Sequence, residues 1–120
     1  MNKRVLASSL SLLAAGFIFS APAKSEILTT GALVEMCQAT NSSSAQNFCH
    51  GFSQGVYDTY VMSRHPENNP PFICFPDPGP TRGTVIDNFV DWAENNPQFT
   101  SVSAADTVLR YLAGTYACQQ

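Results

Sequence analysis

Residues 45–62 read AQNFCHGFSQGVYDTYVM, and the reading of this stretch decides what the rest of the chain can be. Ala45, Phe48, Cys49, Phe52, Val56 and Tyr60 recur at intervals of three and four residues, which gathers them on one face of an amphipathic helix that must find a core to cover it. The polar run 41–47 ahead of it supplies Ser42 or Ser43 as an N-cap. Gly51 and Gly55 stand four apart beside the stripe, and each costs about 1 kcal/mol of helix propensity relative to alanine. The spacing predicts a close approach of another backbone there, from within the fold or from a second copy in a homodimer.

The adjacent Cys49 and His50 invite a catalytic or metal-binding reading, and helix geometry argues against both. Neighbouring helical residues point about 100° apart, so with Cys49 on the buried stripe, His50 faces away as an exposed helix residue and cannot act as its base. His65 lies roughly 24 Å further along by helical rise. The chain has no C-x₂₋₄-C or H-x₃₋₅-H pair for zinc and no C-x-x-C-H for haem attachment. Cys49 therefore reads as half of a disulfide, with no metal or cofactor implied.

The N-terminus supports that reading. Asn2, Lys3 and Arg4 precede the apolar run 5–20, and Ala21-Pro22-Ala23 and Ala23-Lys24-Ser25 offer small-residue cleavage patterns. Residues 1–25 thus read as a secretory signal peptide, cut after Ala23 or Ser25, and residues 26–120 as a single exported domain. Nothing after the leader reaches the roughly 20 apolar residues that span a bilayer, so no membrane insertion is expected. Cleavage removes Lys3, Arg4 and Lys24 and leaves three Arg against nine Asp and Glu, a net charge of −6, or −5 with the earlier cut. That balance argues against nucleic acid or anionic lipid as a partner and allows a basic protein partner to be steered in.

Three further helices follow from the same kind of pattern. Residues 28–39 carry Leu33, Met36 and Cys37 with Thr30 as N-cap. Thr84 opens a T-x-x-D cap signature with Val85, Phe89, Trp92 and Ala93 behind it, ending at Asn95-Asn96-Pro97. Ser103 opens S-A-A-D, followed by Ala105, Val108, Leu109 and Leu112 to about Tyr116. Between the second and third helices, residues 65–83 hold six of the eight prolines and read as a long irregular loop. A loop of that length in so small a domain is functional, disordered or pinned, and Cys74 among Phe72, Ile73 and Phe75 suggests pinning. The expected fold is all-α: a small four-helix domain stapled by two disulfides, with a long proline-rich loop.

Four cysteines in an exported domain allow three connectivities. Cys37 and Cys49 lie on consecutive helices joined by a short turn, which favours Cys37–Cys49; the remaining pair, Cys74–Cys118, then ties the loop to the end of the last helix. Loop-closure entropy puts the two bridges at about 3 and about 4 kcal/mol. Other chemistry is scarce. Asp87, Asp91 and Glu94 share a helix face that reads as solvated, Trp92 reads as core, and no G-x-S-x-G, H-E-x-x-H or P-loop occurs. No catalytic residues, and hence no enzyme, are expected.

The order of these features resembles the Rap/Tai family of type VI secretion immunity proteins. The resemblance covers about residues 31–118. It rests on C-x-G-(F/Y)-x-x-G at Cys49, Gly51, Phe52 and Gly55, on Cys74-Phe75-Pro76, on the helix ending near Asn96-Pro97, and on the alanine-rich closing helix with Cys118. It implies a helical, disulfide-bonded periplasmic protein that binds a peptidoglycan amidase effector and obstructs its active site. The contact residues expected on the pinned loop are His65, Glu67, Asn68, Asn69, Phe72, Asp77 and Arg82, because ordered irregular backbone on a rigid base makes a protrusion. A different class remains open: an Hde-like periplasmic acid-stress chaperone, or a general protein-binding module, whose nine acidic groups would loosen the packing as they protonate.

Overall fold

Helix formation follows the apolar periodicity, but the first and last residues of each helix are settled by which backbone groups find partners. The computed structural model describes residues 26–64 and 70–119; the expected leader and His65, Glu67, Asn68 and Asn69 lie outside the described residues. Within them the chain forms α1 (Thr30–Gln38), α2 (Ser43–Ser63), α3 (Arg82–Glu94), a 3₁₀ turn (Pro97–Phe99) and α4 (Ala104–Thr115). The domain is all-α, with two isolated bridges, Thr29 to Ser103 and Ile73 to Ala117, as its β-type pairing among the described residues.

α1 starts one residue differently from expectation. Thr29 is its N-cap, its hydroxyl accepting from the Ala32 amide at 3.3 Å, because Thr30 is drawn inward and only 2% exposed. The Thr30 hydroxyl lies 2.8 Å from Thr107 Oγ1 and 3.1 Å from the Val102 carbonyl oxygen. Helix N-termini carry amides without intrahelical acceptors. Here the Thr30 and Gly31 amides donate to the carbonyls of Val102 and Thr100, each at 2.9 Å, and the Ala104 amide donates to Leu28 at 2.8 Å. The starts of α1 and α4 are thereby tied to each other. Ser103 is positionally the N-cap of α4 but its side chain makes no capping bond, so the tertiary contact replaces the S-x-x-D box read from sequence.

α2 runs as anticipated from the cap of Ser42, which accepts from the Ala45 amide at 3.3 Å. α3 begins two residues before Thr84: Thr81 caps it, accepting from the Thr84 amide at 3.2 Å. Thr81 is the first residue beyond the prolines with a side chain able to cap, so the helix starts there, and the expected T-x-x-D signature falls inside the first turn. On α4 the buried face is Ala104, Thr107, Val108, Tyr111 and Leu112, with Ala105 and Leu109 only half-buried. The stripe read from sequence is therefore rotated by about one residue.

The core gathers Leu33 of α1, Tyr60 of α2, Phe89, Val90 and Ala93 of α3, and Val108, Tyr111 and Leu112 of α4, with Ile73 of the loop joining them. Trp92 packs against it as expected, 5.4 Å from Phe99 and 5.8 Å from Tyr111 between ring centroids. Both disulfides form as anticipated, Cys37–Cys49 and Cys74–Cys118, and leave no free cysteine among the described residues. Cys49 is fully buried and His50 half-buried rather than exposed.

The glycine expectation is corrected. A Cβ added at Gly51 or Gly55 would meet nothing within 4 Å, so neither residue serves close packing inside the domain. The glycine that does is Gly31, where a Cβ would lie 2.8 Å from Thr100 Cγ2 and 3.3 Å from the Thr100 carbonyl oxygen. The backbone approach that ties α1 to residues 100–102 needs the missing side chain there.

A pinned loop between two hollows: the candidate functional site

The proline-rich segment cannot hold itself in place, since proline supplies no backbone donor. It is held from outside. The Tyr60 hydroxyl on α2 accepts from the amides of Phe72 and Ile73 at 3.0 and 3.2 Å. The Cys74 amide donates to the Tyr116 backbone carbonyl at 2.7 Å, and the Cys74–Cys118 bridge closes the same junction. Aromatic rings run through the attachment: Phe72 to Tyr60 at 4.5 Å, Tyr57 to Phe75 at 5.5 Å, Phe75 to Tyr116 at 4.5 Å. The Asp77-Pro78 bond at the far end is cis.

Two hollows flank this loop, one on each side of α2. The first is an open groove of about 800 Å³ between α2, α4 and the start of the loop, lined by Gly51, Phe52, Gly55, Val56 and Tyr60 of α2, Ala105 and Leu109 of α4, and Pro70 and Phe72 of the loop. Phe48, nearly half exposed, stacks on Phe52 at 5.9 Å, one helical turn along from it. Arg64 lies over the Tyr60 ring at 5.2 Å, a favourable cation–π placement. The second hollow is a half-open pocket of about 320 Å³ under the end of the loop, walled by α2, α3 and α4.

The expected contact residues divide between these places. Phe72, 48% exposed, edges the groove; Arg82, at the start of α3, lines the pocket; Asp77 is exposed and lines neither. The loop does not gather Phe72 and Arg82 around one hollow. Sequence reasoning placed Tyr60 and Phe52 on the buried stripe and missed what they do here: Tyr60 holds the loop by its hydroxyl, and the Phe48–Phe52 pair stays partly outside. The signal was the apolar pair at i, i+4 on a helix surface that also carries two glycines. Such a surface is too poor in side-chain volume to pack well inside.

Charge chemistry is sparse. Every described carboxylate is on an exposed residue, and the ion pair among the described residues, Arg110 with Asp106 at 2.6 Å, is a surface i, i+4 pair of little energetic weight. Burial pushes the Tyr111 phenol up to about 12, with the neighbouring Tyr116 phenol adding to the effect. Among the described residues no group of three or more His, Cys, Asp or Glu is placed to hold a metal ion, and no helix is long and apolar enough to cross a membrane.

A family model described as Rap1a immunity proteins matches residues 29–118. No curated protein and no solved structure matches the chain. With the four helices, both disulfides and the loop all inside the matched range, the chain belongs to this family of type VI secretion immunity proteins, which are not enzymes.

Proposed function

We propose, with that membership as the premise, that this protein is exported to the periplasm after cleavage behind Ala23 or Ser25 and there binds and neutralises a cell-wall-degrading amidase effector of type VI secretion. The observation that carries the reading is the family match across residues 29–118. The geometry supports it in a specific way. Phe72 is exposed on a segment whose amides, sulfur and neighbouring rings are all held, so presenting it to a partner costs little further ordering. The adjoining groove adds apolar surface at Phe48, Phe52 and Leu109, and exposed aromatics bordering such a patch are frequent anchors of protein interfaces. The proposed contacts are Phe72, Asp77 and Arg82, together with His65, Glu67, Asn68 and Asn69. Gly51 and Gly55, open on the same groove, would admit the backbone of a second copy, and a homodimer belongs to the same proposal.

The test is stoichiometric inhibition of peptidoglycan hydrolysis by purified amidase effectors of type VI secretion, beginning with any that is encoded beside this protein's gene. Full inhibition near one equivalent, weakened at least tenfold by Phe72→Ala, supports the reading; undiminished hydrolysis at a large excess of the protein rejects it. An acid-chaperone role is less well supported. With every described carboxylate exposed, protonation breaks no buried pair and gives the core no reason to loosen. Near-UV circular dichroism from pH 7 to pH 3 separates the two, since a chaperone of that kind loses its aromatic signal and an inhibitor keeps it.

A further inference from the structure

The effector reading touches the pocket beneath the loop only at Arg82 and leaves its interior without a role. Protein interiors are normally filled to crystal-like density, yet about 320 Å³ stays open where four elements of this small domain converge. That volume lies within the range of small-molecule sites, roughly 300–1,000 Å³. Its walls are mostly apolar: Phe75 and Pro80 from the loop, Val85 and Phe89 from α3, Val108 and Leu112 from α4.

Two polar groups stand out against that lining. Tyr111 is only 4% exposed, and its hydroxyl is buried beside Tyr116 and Thr115 without a well-formed hydrogen bond; Ser53 Oγ, on the α2 wall, is likewise buried and unpartnered, and both are sealed behind the apolar lining. Buried hydroxyls are paired in the great majority of native structures, and an unpaired one is a standing cost. Of the other α2 wall residues, Gln54 already donates to Asp58 at 2.8 Å, and Tyr57 packs edge-on against Phe75. The lining carries one formal charge, Arg82, which is exposed at the head of α3 and makes no ion pair among the described residues.

We propose that this pocket is a binding site for a small amphipathic carboxylate, whose hydrocarbon body fills the apolar space and whose carboxylate meets Arg82. An apolar body explains the wall composition, and an anionic head explains a lone cation among otherwise uncharged residues. Because Phe75, Gly79 and Pro80 form one wall, an occupant braces the loop from beneath. The inference does not rest on the immunity reading, and it is tested on the isolated, disulfide-intact protein.

Decanoate and its neutral counterpart 1-decanol are titrated calorimetrically into the protein, below the concentration at which decanoate forms micelles. The expected result is saturable one-to-one binding of decanoate, weakened at least tenfold by Arg82→Gln while decanol binding stays unchanged. Either Val85→Phe or Ser53→Leu, which fill the space from different helices, abolishes binding of both probes. Far-UV circular dichroism identifies which filling variant is folded and therefore counts. Absence of decanoate binding at millimolar concentration, equal binding by Arg82→Gln, or wild-type binding by a folded filling variant overturns the proposal.

Discussion

The start of α1 and the seat of the proline-rich loop face the same difficulty: each must hold a stretch of chain whose amides or carbonyls lack helical partners. They meet it by different means. At the α1–α4 junction, backbone meets backbone, with Thr30, Gly31 and Ala104 donating to Val102, Thr100 and Leu28 and a buried threonine pair locking the contact. No sulfur is involved. At the loop, Pro70, Pro71, Pro76, Pro78 and Pro80 have no amide to offer, and a phenol, a disulfide and stacked rings take over. Backbone pairing thus suffices where the chain can both donate and accept. Where proline has removed the donors, side chains must supply the attachment, and the segment so held stays free to face outward.

Breaking the loop's staple should have the largest effect. Cys74→Ala with Cys118→Ala is expected to lower stability by about 4 kcal/mol on loop-closure grounds, read as a shift of the urea midpoint. A fall of less than about 1 kcal/mol would mean that the aromatic and hydrogen-bond attachments hold the loop by themselves. Next comes Tyr60→Phe, which keeps the ring and removes the acceptor of two amides. The expected cost is about 1–3 kcal/mol, with faster hydrogen exchange at Phe72 and Ile73 and unchanged exchange in α1.

The junction is probed by Gly31→Ala. Overpacking against Thr100 costs about 1–3 kcal/mol, partly offset by better helix propensity, for an expected net loss of about 1 kcal/mol. Gly51→Ala and Gly55→Ala are the counterparts with open space around them. Each should stabilise the isolated domain by up to about 1 kcal/mol, and any simultaneous loss of effector affinity or of self-association would show that a partner's backbone uses the gap.

The smallest effect is one of pH. The Tyr111 pKa is raised in the fold, from 10.0 to about 12, so the folded state favours the protonated phenol. Its contribution is complete below about pH 10 and is lost as pH rises from about 10 towards 12. Tyr111→Phe should therefore show a shallower alkaline loss of stability than the wild type over that window. It should also be little less stable at neutral pH, because the buried hydroxyl it removes makes no well-formed hydrogen bond. A destabilised Tyr111→Phe would show that its contacts with Tyr116 and Thr115 act as a hydrogen bond in solution.

Much of this molecule can be read from its residues. The α2 stripe predicts a buried Cys49 and Tyr60, and the cysteine spacing favours the pairing that forms. The family resemblance carried by Cys49-x-Gly51-Phe52 and Cys74-Phe75-Pro76 agrees with the match over residues 29–118. What escaped such reading has a common cause. Periodicity tells which residues share a face of a helix but not what stands opposite them, so Gly31 and Gly51 looked alike as sequence and differ entirely in surroundings. The same blindness hid the Tyr60 hydroxyl's role and the separation of Phe72 from Arg82, two loop-end residues that border different hollows.

By itself, then, the sequence determined the helical class, the crosslinks and the family, because these depend on local spacing and on the count and placement of sulfur. Only the tertiary structure decided which glycine lets two backbones meet, which side of α2 stays open, and where an unfilled pocket lies. Those outcomes depend on the distances between segments far apart in the chain, which are set by how whole helices pack rather than by any short pattern along one of them.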